Sequence, residues 1–284
     1  MFTETRQALN RARNDMRVFG MHAWRVEGAK FMGRQQITTW LRGPGEVTLR
    51  PADSDLETYR QVYQQRQYEI PGAFQRQRLE RYYDKLVADG VVPLIIDAGA
   101  NIGAAAQWFA DHFPKARILA VEPDPANAAL CRTNTAGRAN VTTVEGAIGG
   151  KAGAVAMAPG LGEQSWAITT ARLDDSPGAG SCKVHTVHDL QRQISGPSAL
   201  FLVKIDIEGF EADLFDHDVG WVDEVAAIFI EPHDWLFPDK STSQSMQKSL
   251  FNRGFEILVS GENLMFIRST VDLDRMLKST TQIQ

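Results

Sequence analysis

The sequence predicts an α/β fold: a doubly wound, mostly parallel seven-stranded sheet, Rossmann-like, with an antiparallel last strand and an N-terminal helical extension. Three observations predict it. Short continuous apolar runs, such as 91–96 and 225–230, read as strands covered on both faces, as parallel strands are. These runs alternate with segments of helical spacing, so strands are joined by crossovers. The last two runs, 255–259 and 264–267, read as a closing antiparallel pair.

The elements follow in order. Residues 4–17 are polar and suit a solvated helix, and a more hydrophobic stretch with Trp24, Phe31 and Trp40 runs to the break at Gly43-Pro44-Gly45. Residues 1–46 are therefore expected to form a mainly helical extension, and 47–90 a strand and helices leading into the core. There, 46–50 alternates like a short strand, and Ser54-Asp55 caps a helix carrying Leu56, Tyr59, Val62 and Tyr63. A second helix, about 73–89, stops at Gly90. The core, 91–270, opens with strand 91–96 and an apolar helix, 104–113. Strand 117–121 follows, and Asp124-Pro125 is an N-cap and N1 pair for a helix to Ala136. Residues 141–144 make the third strand. Gly-rich, alternating 149–187 reads as hairpins and loop. A short helix, 187–194, then precedes the fourth strand, 200–205. Residues 209–215 start another helix, 225–230 is the fifth strand, and a helix near 242–253 precedes the closing pair. Residues 271–284 are expected to be a tail.

Composition narrows the class. The chain has 284 residues, 43% of them hydrophobic, which suits an ordinary core. No apolar stretch approaches the roughly 18 residues of a membrane span, and 1–6 lack the apolar region of a secretory signal. Cys131 and Cys182 have neither metal nor redox spacing, so a reducing cytoplasm is expected. The net charge of −5 is uneven: residues 1–50 carry nine Lys/Arg against four Asp/Glu. The basic residues are interspersed with Glu4, Asp15, Glu27 and Glu46, which favours a solvated helical face or a subunit contact over a nucleic-acid surface.

In doubly wound sheets ligands bind outside the carboxyl ends of the strands. Asp97, Glu122, Glu145, Asp206 and Glu231 all follow strands. The turn Asp97-Ala-Gly99-Ala-Asn101-Ile-Gly103, with Glu122-Pro123 beyond the next strand, describes a nucleoside-binding βαβ unit. It lacks the closely spaced glycines that a pyrophosphate requires, and its acid suits a cationic amino group. The expected cofactor is thus S-adenosylmethionine (SAM), rather than a nicotinamide dinucleotide. Asp97 would balance the methionine ammonium, directly or through water. Gly99 allows the tight turn, Gly103 a close approach of helix and ligand, and the helix start offers N–H groups to the carboxylate. Glu122 would take both ribose hydroxyls. Glu145 and Ala147, in Glu145-Gly-Ala-Ile148, would border the adenine.

A second cluster, Lys204-Ile-Asp-Ile-Glu-Gly-Phe-Glu211, ends the fourth strand. Alternation puts Lys204 and Asp206 on one side. Asp206 would face the methyl group as base, as orienting group or as a metal ligand, with Lys204 holding it ionised. Glu208 and Glu211 suit the first turn of a helix. In Glu231-Pro-His233-Asp234, His233 titrates near neutrality and is a second candidate base. Asp206, Glu231 and His233 converge in a standard strand order, where an oxygen/nitrogen metal site is conceivable, but no metal is assigned. His185 and His188 read as structural. Trp166, Trp235 and Phe237 are candidate walls of a substrate pocket.

These motifs, with Leu130, Asn134 and Ala147-Ile148-Gly149, resemble the FkbM-type SAM-dependent methyltransferases over roughly 47–268. The Lys204–Glu211 string is the most specific part. His188-Asp189 and Gly149-Gly150 depart from the family's usual residues at those places. The resemblance implies a class I methyltransferase fold and methyl transfer, usually to a hydroxyl of a sugar, polyketide or other secondary metabolite. The expected partner is therefore a small-molecule acceptor, with no nucleic acid and no membrane span; homo-oligomerisation stays open. N-methylation and a non-catalytic SAM-binding scaffold are the alternatives.

Overall fold

The computed structural model describes residues 2–159, 168–172 and 181–281. Two helices, α1 (Phe2–Phe19) and α2 (Trp24–Phe31), precede an antiparallel hairpin of β1 (Ile37–Leu41) and β2 (Gly45–Leu49). Helix α3 (Asp55–Tyr59) continues into a π turn (Arg60–Gln64), and α4 (Ala73–Ala88) leads into the core. The first half of the core is β3 (Val92–Ala98), α5 (Ala104–His112), β4 (Arg117–Glu122), α6 (Pro125–Thr135) and β5 (Val141–Glu145). A small second sheet follows: β6 (Ala147–Ile148), β7 (Gly153–Pro159), β8 (Ile168–Arg172) and β9 (Ser181–His185). The second half is α7 (Val187–Gln191), β10 (Ser198–Ile205), α8 (Glu211–Asp216), α9 (Trp221–Glu224) and β11 (Ala227–Ile230). Helix α10 (Gln244–Leu250), β12 (Phe255–Ser260), β13 (Asn263–Arg268) and α11 (Thr270–Thr281) close the chain.

The main sheet has seven strands in the order β12-β13-β11-β10-β3-β4-β5. Strand β13 runs antiparallel to both of its neighbours, and the other described pairings in this sheet are parallel. Strand alternation splits the core into two layers. Ile95 and Ile118 pack on one face, while Leu94, Ile96, Leu119 and Val121 pack on the other. The strand order reverses between β3 and β10, and their carboxyl ends diverge there into a crevice.

Three expectations are corrected. The stretch before residue 46 is not mainly helical to its end, because 37–41 is a strand. Thr39 and Leu41 are buried, as are Val47 and Leu49 on the partner strand, while Trp40 stays exposed, so the pattern has period two. The presumed tail contains α11, which buries Leu273 and lays Met276 and Leu277 on the core. The helix after Ser54 is α-helical for one turn only before the π turn. The capping pair Asp124-Pro125 is as expected: the Asp124 carboxylate accepts from the Asn127 N–H at 2.7 Å.

Asn134 and Arg138 tie the hairpin to the core, Arg138 Nη2 donating to the Pro44 carbonyl in its turn at 3.0 Å. Asn134 accepts from the Thr48 N–H at 2.7 Å and donates to the Thr48 and Ile102 carbonyls at 3.2 and 2.9 Å. Among the described residues no helix is long and apolar enough to cross a membrane.

Candidate active site

The crevice is built from the ends of β3 and β10. Parallel register sets Lys204 beside Asp97 and Ile205 beside Ala98, and the Asp206 N–H donates to the Ala98 carbonyl at 3.1 Å. The next residue on the β3 side must be glycine: Gly99 has φ 75°, and a Cβ there would lie 1.8 Å from the Asp206 carbonyl oxygen. The tight turn expected at Gly99 is therefore a close approach of two backbones.

One cavity opens above this turn, lined by Gly99, Asn101, Glu122, Pro123, Asn127, Gly146, Ala147 and Ile148, with Asp206, Glu208 and Phe210 opposite. Glu122 ends β4 with its carboxylate 5% exposed. Its Oε2 accepts from the Asn101 N–H at 2.8 Å, and its Oε1 accepts from the Asp124 N–H at 3.0 Å and Asn127 Nδ2 at 3.5 Å. Burial pushes this carboxyl up to about 7, against the pull of those donors. Both oxygens are thus fixed in orientation at the cavity wall, with acceptor capacity to spare for a vicinal diol. Asn127 was not singled out from sequence. In turn it accepts from Arg50 Nη2 at 2.8 Å, and Arg50 is held by Asp55 at 2.7 Å.

A second cavity shares Gly99, Asn101, Asp206 and Glu208 with the first and extends past Lys204, Glu231, His233 and Trp235 to Gln67, Tyr68 and Glu262. Asp206 and Glu208 stand at the junction. Lys204 is 2% exposed and donates to the Gly99 and Ala98 carbonyls at 2.7 and 3.3 Å. Its ammonium lies 3.2 Å from Asp97 Oδ1 and 3.4 Å from Asp206 Oδ2, so Lys204 and Asp206 share one side as expected. Burial works against this ammonium, but Asp97, Tyr68 and Asp206 outweigh it and hold it protonated. His233, 2% exposed, sets Nδ1 2.7 Å from Glu211 Oε1.

Four sequence expectations change. Asp97 is fully buried and faces Lys204, which supplies its counter-charge in place of a ligand ammonium. The close approach at Gly103 is between helices: a Cβ would meet Cys131 Sγ and Thr135 Cγ2 at 3.1 Å. Glu145 is exposed and pairs with Arg132 at 2.6 Å, away from the cavity, while the Gly146–Ile148 backbone behind it forms the wall. His233 does not titrate near neutrality. Burial alone would lower it, but Glu211, Asp206 and Glu208 raise it to about 9. Burial also pushes Glu208 up to about 8 and Glu231 to about 7, reinforced by Asp206.

Gly99, Asn101, Glu122, Pro123 and Ala147 line the first cavity, and Lys204, Asp206 and His233 meet in the second. Glu208 lines both cavities from the turn after β10, where its φ of 53° departs from the extended chain, so no strand alternation in the sequence points to it. Gln67 and Tyr68 reach the site from the leading segment; Tyr68-Glu69 belongs to the stretch that resembles the family's lead-in, but neither residue has a role that the sequence points to. Trp235 is 64% exposed and lines the second cavity. Phe237 packs on Gly209 instead, where a Cβ would meet its ring at 2.2 Å. Trp166 lies outside the described residues. His188 pairs with Asp218 at 2.6 Å in a flanking, structural contact.

The parallel sheet with one antiparallel strand, and the buried carboxylate that ends its second core strand at the cavity wall, belong to a Rossmann-like class I methyltransferase fold. Residues 97–257 match the Methyltransferase FkbM domain, and the chain belongs to that family, whose cofactor is SAM. It is also similar to the 2-O-methyltransferase NoeI of Sinorhizobium fredii (strain NBRC 101917 / NGR234), with 30% identity over 134 residues. That match covers 46% of this chain and 52% of NoeI, so it spans about half of the relative's length. Among solved structures, precorrin-6y C5,15-methyltransferase from Geobacter metallireducens GS-15 matches at 14% identity and a TM-score of 0.35, covering 67% of this chain and 87% of that one. Aeropyrum pernix fibrillarin with natively bound SAM matches at 12% identity and a TM-score of 0.36, over 65% and 74%.

The first cavity fits the cofactor on this chain's own geometry. A buried carboxylate with both oxygens held by N–H donors faces a space whose floor admits no side chain at Gly99.

Proposed function

We propose that this chain transfers the methyl group of SAM to a hydroxyl of a small polyol or sugar-like acceptor. The observation that carries the reading is the position of Asp206 at the junction of the two cavities. Glu122 would hold the ribose diol, Asn101 and Gly99 the edge of the methionine portion, and Ala147 and Ile148 the adenine. SAM supplies a sulfonium-activated methyl group for in-line displacement. The chain aligns the acceptor oxygen and removes its proton.

Asp206 Oδ1 is the base best placed for that hydroxyl. Lys204 lies 3.4 Å from its Oδ2, and His233, positively charged at neutral pH, faces Oδ1 at 3.5 Å. The second cavity supports a hydroxyl-rich acceptor. Gln67, Glu231 and Glu262 offer amide and carboxylate partners beside the exposed Trp235 ring, a surface against which sugars stack. The name of NoeI favours oxygen over nitrogen as the methylated atom.

The test is transfer of labelled methyl from SAM to a panel of mono- and oligosaccharides and polyketide alcohols, with products mapped for O- or N-methylation. Asp206→Asn should reduce turnover by about 10²–10⁴-fold while SAM affinity changes little. Turnover at the unmodified rate, or methylation of amines only, sinks the assignment.

A further inference from the structure

The side chains at the cavity junction do more than one base requires. Asp206, Glu208 and His233 each present a ligand atom, and these atoms lie within 4.8 Å of one another. Gathered carboxylates alone decide nothing, since such groups are common without an ion. The histidine is what distinguishes this cluster. Its ring is 2% exposed, and Nδ1 lies 2.7 Å from Glu211 Oε1, a carboxylate that is itself 1% exposed. An ionised carboxylate only accepts, so Nδ1 carries the hydrogen of that bond, and the contact aims Nε2 into the cluster.

Among the described residues no acidic oxygen comes closer to Nε2 than 3.5 Å. Asp206 Oδ1, Glu231 Oε1 and Glu208 Oε2 stand around it at 3.5, 3.8 and 3.9 Å. Glu208 Oε2 is buried with no hydrogen-bond partner. A simple ion pair would close onto one oxygen at about 2.7–2.9 Å. Near-equal, longer separations are instead what a seated cation needs, since two bonds of about 2.1 Å place their donors about 3–4 Å apart. A buried imidazole oriented by a carboxylate at its far nitrogen is also how metal-binding histidines are held. The two oxygens of Asp206 divide between the neighbours, Oδ2 toward Lys204 and Oδ1 toward the cluster.

We propose that Asp206, Glu208 and His233 form a divalent-cation site, closed on a third side by Glu231, for an ion of the Mg²⁺/Mn²⁺ class. Carboxylate oxygens with a single imidazole suit hard to borderline ions of this kind. The open side faces the second cavity; with the ion seated, Asp206 Oδ1 would be its ligand, and the ion would hold the acceptor oxygen beside the first cavity and ease loss of its proton. That role rests on the methyl-transfer reading; the presence of the ion does not. Cation binding needs Nε2 and the carboxylate oxygens free of protons, so protons leave as the ion enters.

The experiment titrates the full chain with Mn²⁺ at neutral pH, without SAM or acceptor, counting free ion by electron paramagnetic resonance. One bound equivalent is expected, with affinity at least tenfold weaker in Glu208→Gln and in His233→Gln variants that keep the native circular dichroism spectrum. On the unmodified chain, substoichiometric Mn²⁺ should broaden the His233 imidazole resonance ahead of those of the other histidines. No bound ion, unchanged affinity in both variants, or broadening that spares His233 overturns the site. A chain that binds Mn²⁺ here but methylates nothing supports the site and removes the proposed function. A chain that methylates without binding Mn²⁺ does the reverse.

Discussion

Glu122 shows how one side chain sets conflicting demands on folding and binding. Its carboxyl is raised to about 7 by burial, so in the cofactor-free chain the protonated form is the better match to the fold. The sign follows from linkage: this contribution to stability is fully present below about 4.5 and is lost as pH rises through about 7. Diol binding favours the ionised form, so SAM binding near pH 7 should release up to one proton. Calorimetry in buffers of different ionisation enthalpy reads that release directly. Glu122→Ala should weaken SAM about ten- to hundredfold, since a hydrogen bond to a charged group contributes about 1.5–3 kcal/mol; native affinity in this variant would remove the ribose role. This residue was legible in sequence because it follows a strand and lies beyond a glycine turn. Asp97 was legible as an acid but not in its partner. Which charge meets it depends on the register of β3 against β10, a long-range property that no local spacing encodes.

At the scale of elements, legibility followed the length and burial of each strand. Strands β3, β10 and β11 are enclosed on both faces, and their unbroken apolar runs announced them. Strand β1 has an exposed Trp40 and a short alternating pattern, so a neighbouring helical stretch absorbed it in the reading of the sequence. Its hairpin is fixed to the body through Asn134, whose amide is matched at each described contact by a backbone partner. Asn134→Ala leaves the buried Ile102 carbonyl and the Thr48 amide without their partners. It should cost about 1–3 kcal/mol in denaturant unfolding, with faster amide exchange at Thr48. A change below 0.5 kcal/mol would mean that its apolar contacts and the Arg138 bond to Pro44 hold the hairpin without Asn134.

For the whole molecule, the division into extension and core dissolves in the packing. Phe19, Ala23 and Val26 belong to the same apolar cluster as Ile95, Phe109 and Phe229. The polar face of α1 advertised a solvated appendage, while its end at Phe19 is buried in that shared cluster. Phe19 is 1% exposed, and Phe19→Ala should cost about 3–5 kcal/mol. The loss should fall on a single cooperative transition shared by extension and core. Two separate transitions in calorimetry would restore the appendage view. The site divides in the same way. Glu122, Asp206 and Lys204 come from the legible core strands, whereas Gln67 and Tyr68 come from a leading segment whose approach only the folded chain reveals.

The contact from Asp55 through Arg50 to Asn127 and Glu122 carries a consequence of its own. It joins the chain just beyond the hairpin to the carboxylate that would clasp the ribose. By reciprocity, whatever steadies one end steadies the other: an occupied ribose pocket holds the leading segment against the body. That segment also supplies Gln67 and Tyr68 to the second cavity. Coupling of this kind is symmetric, so an acceptor held by Gln67 and Tyr68 would tighten the cofactor by the same factor as the cofactor tightens the acceptor.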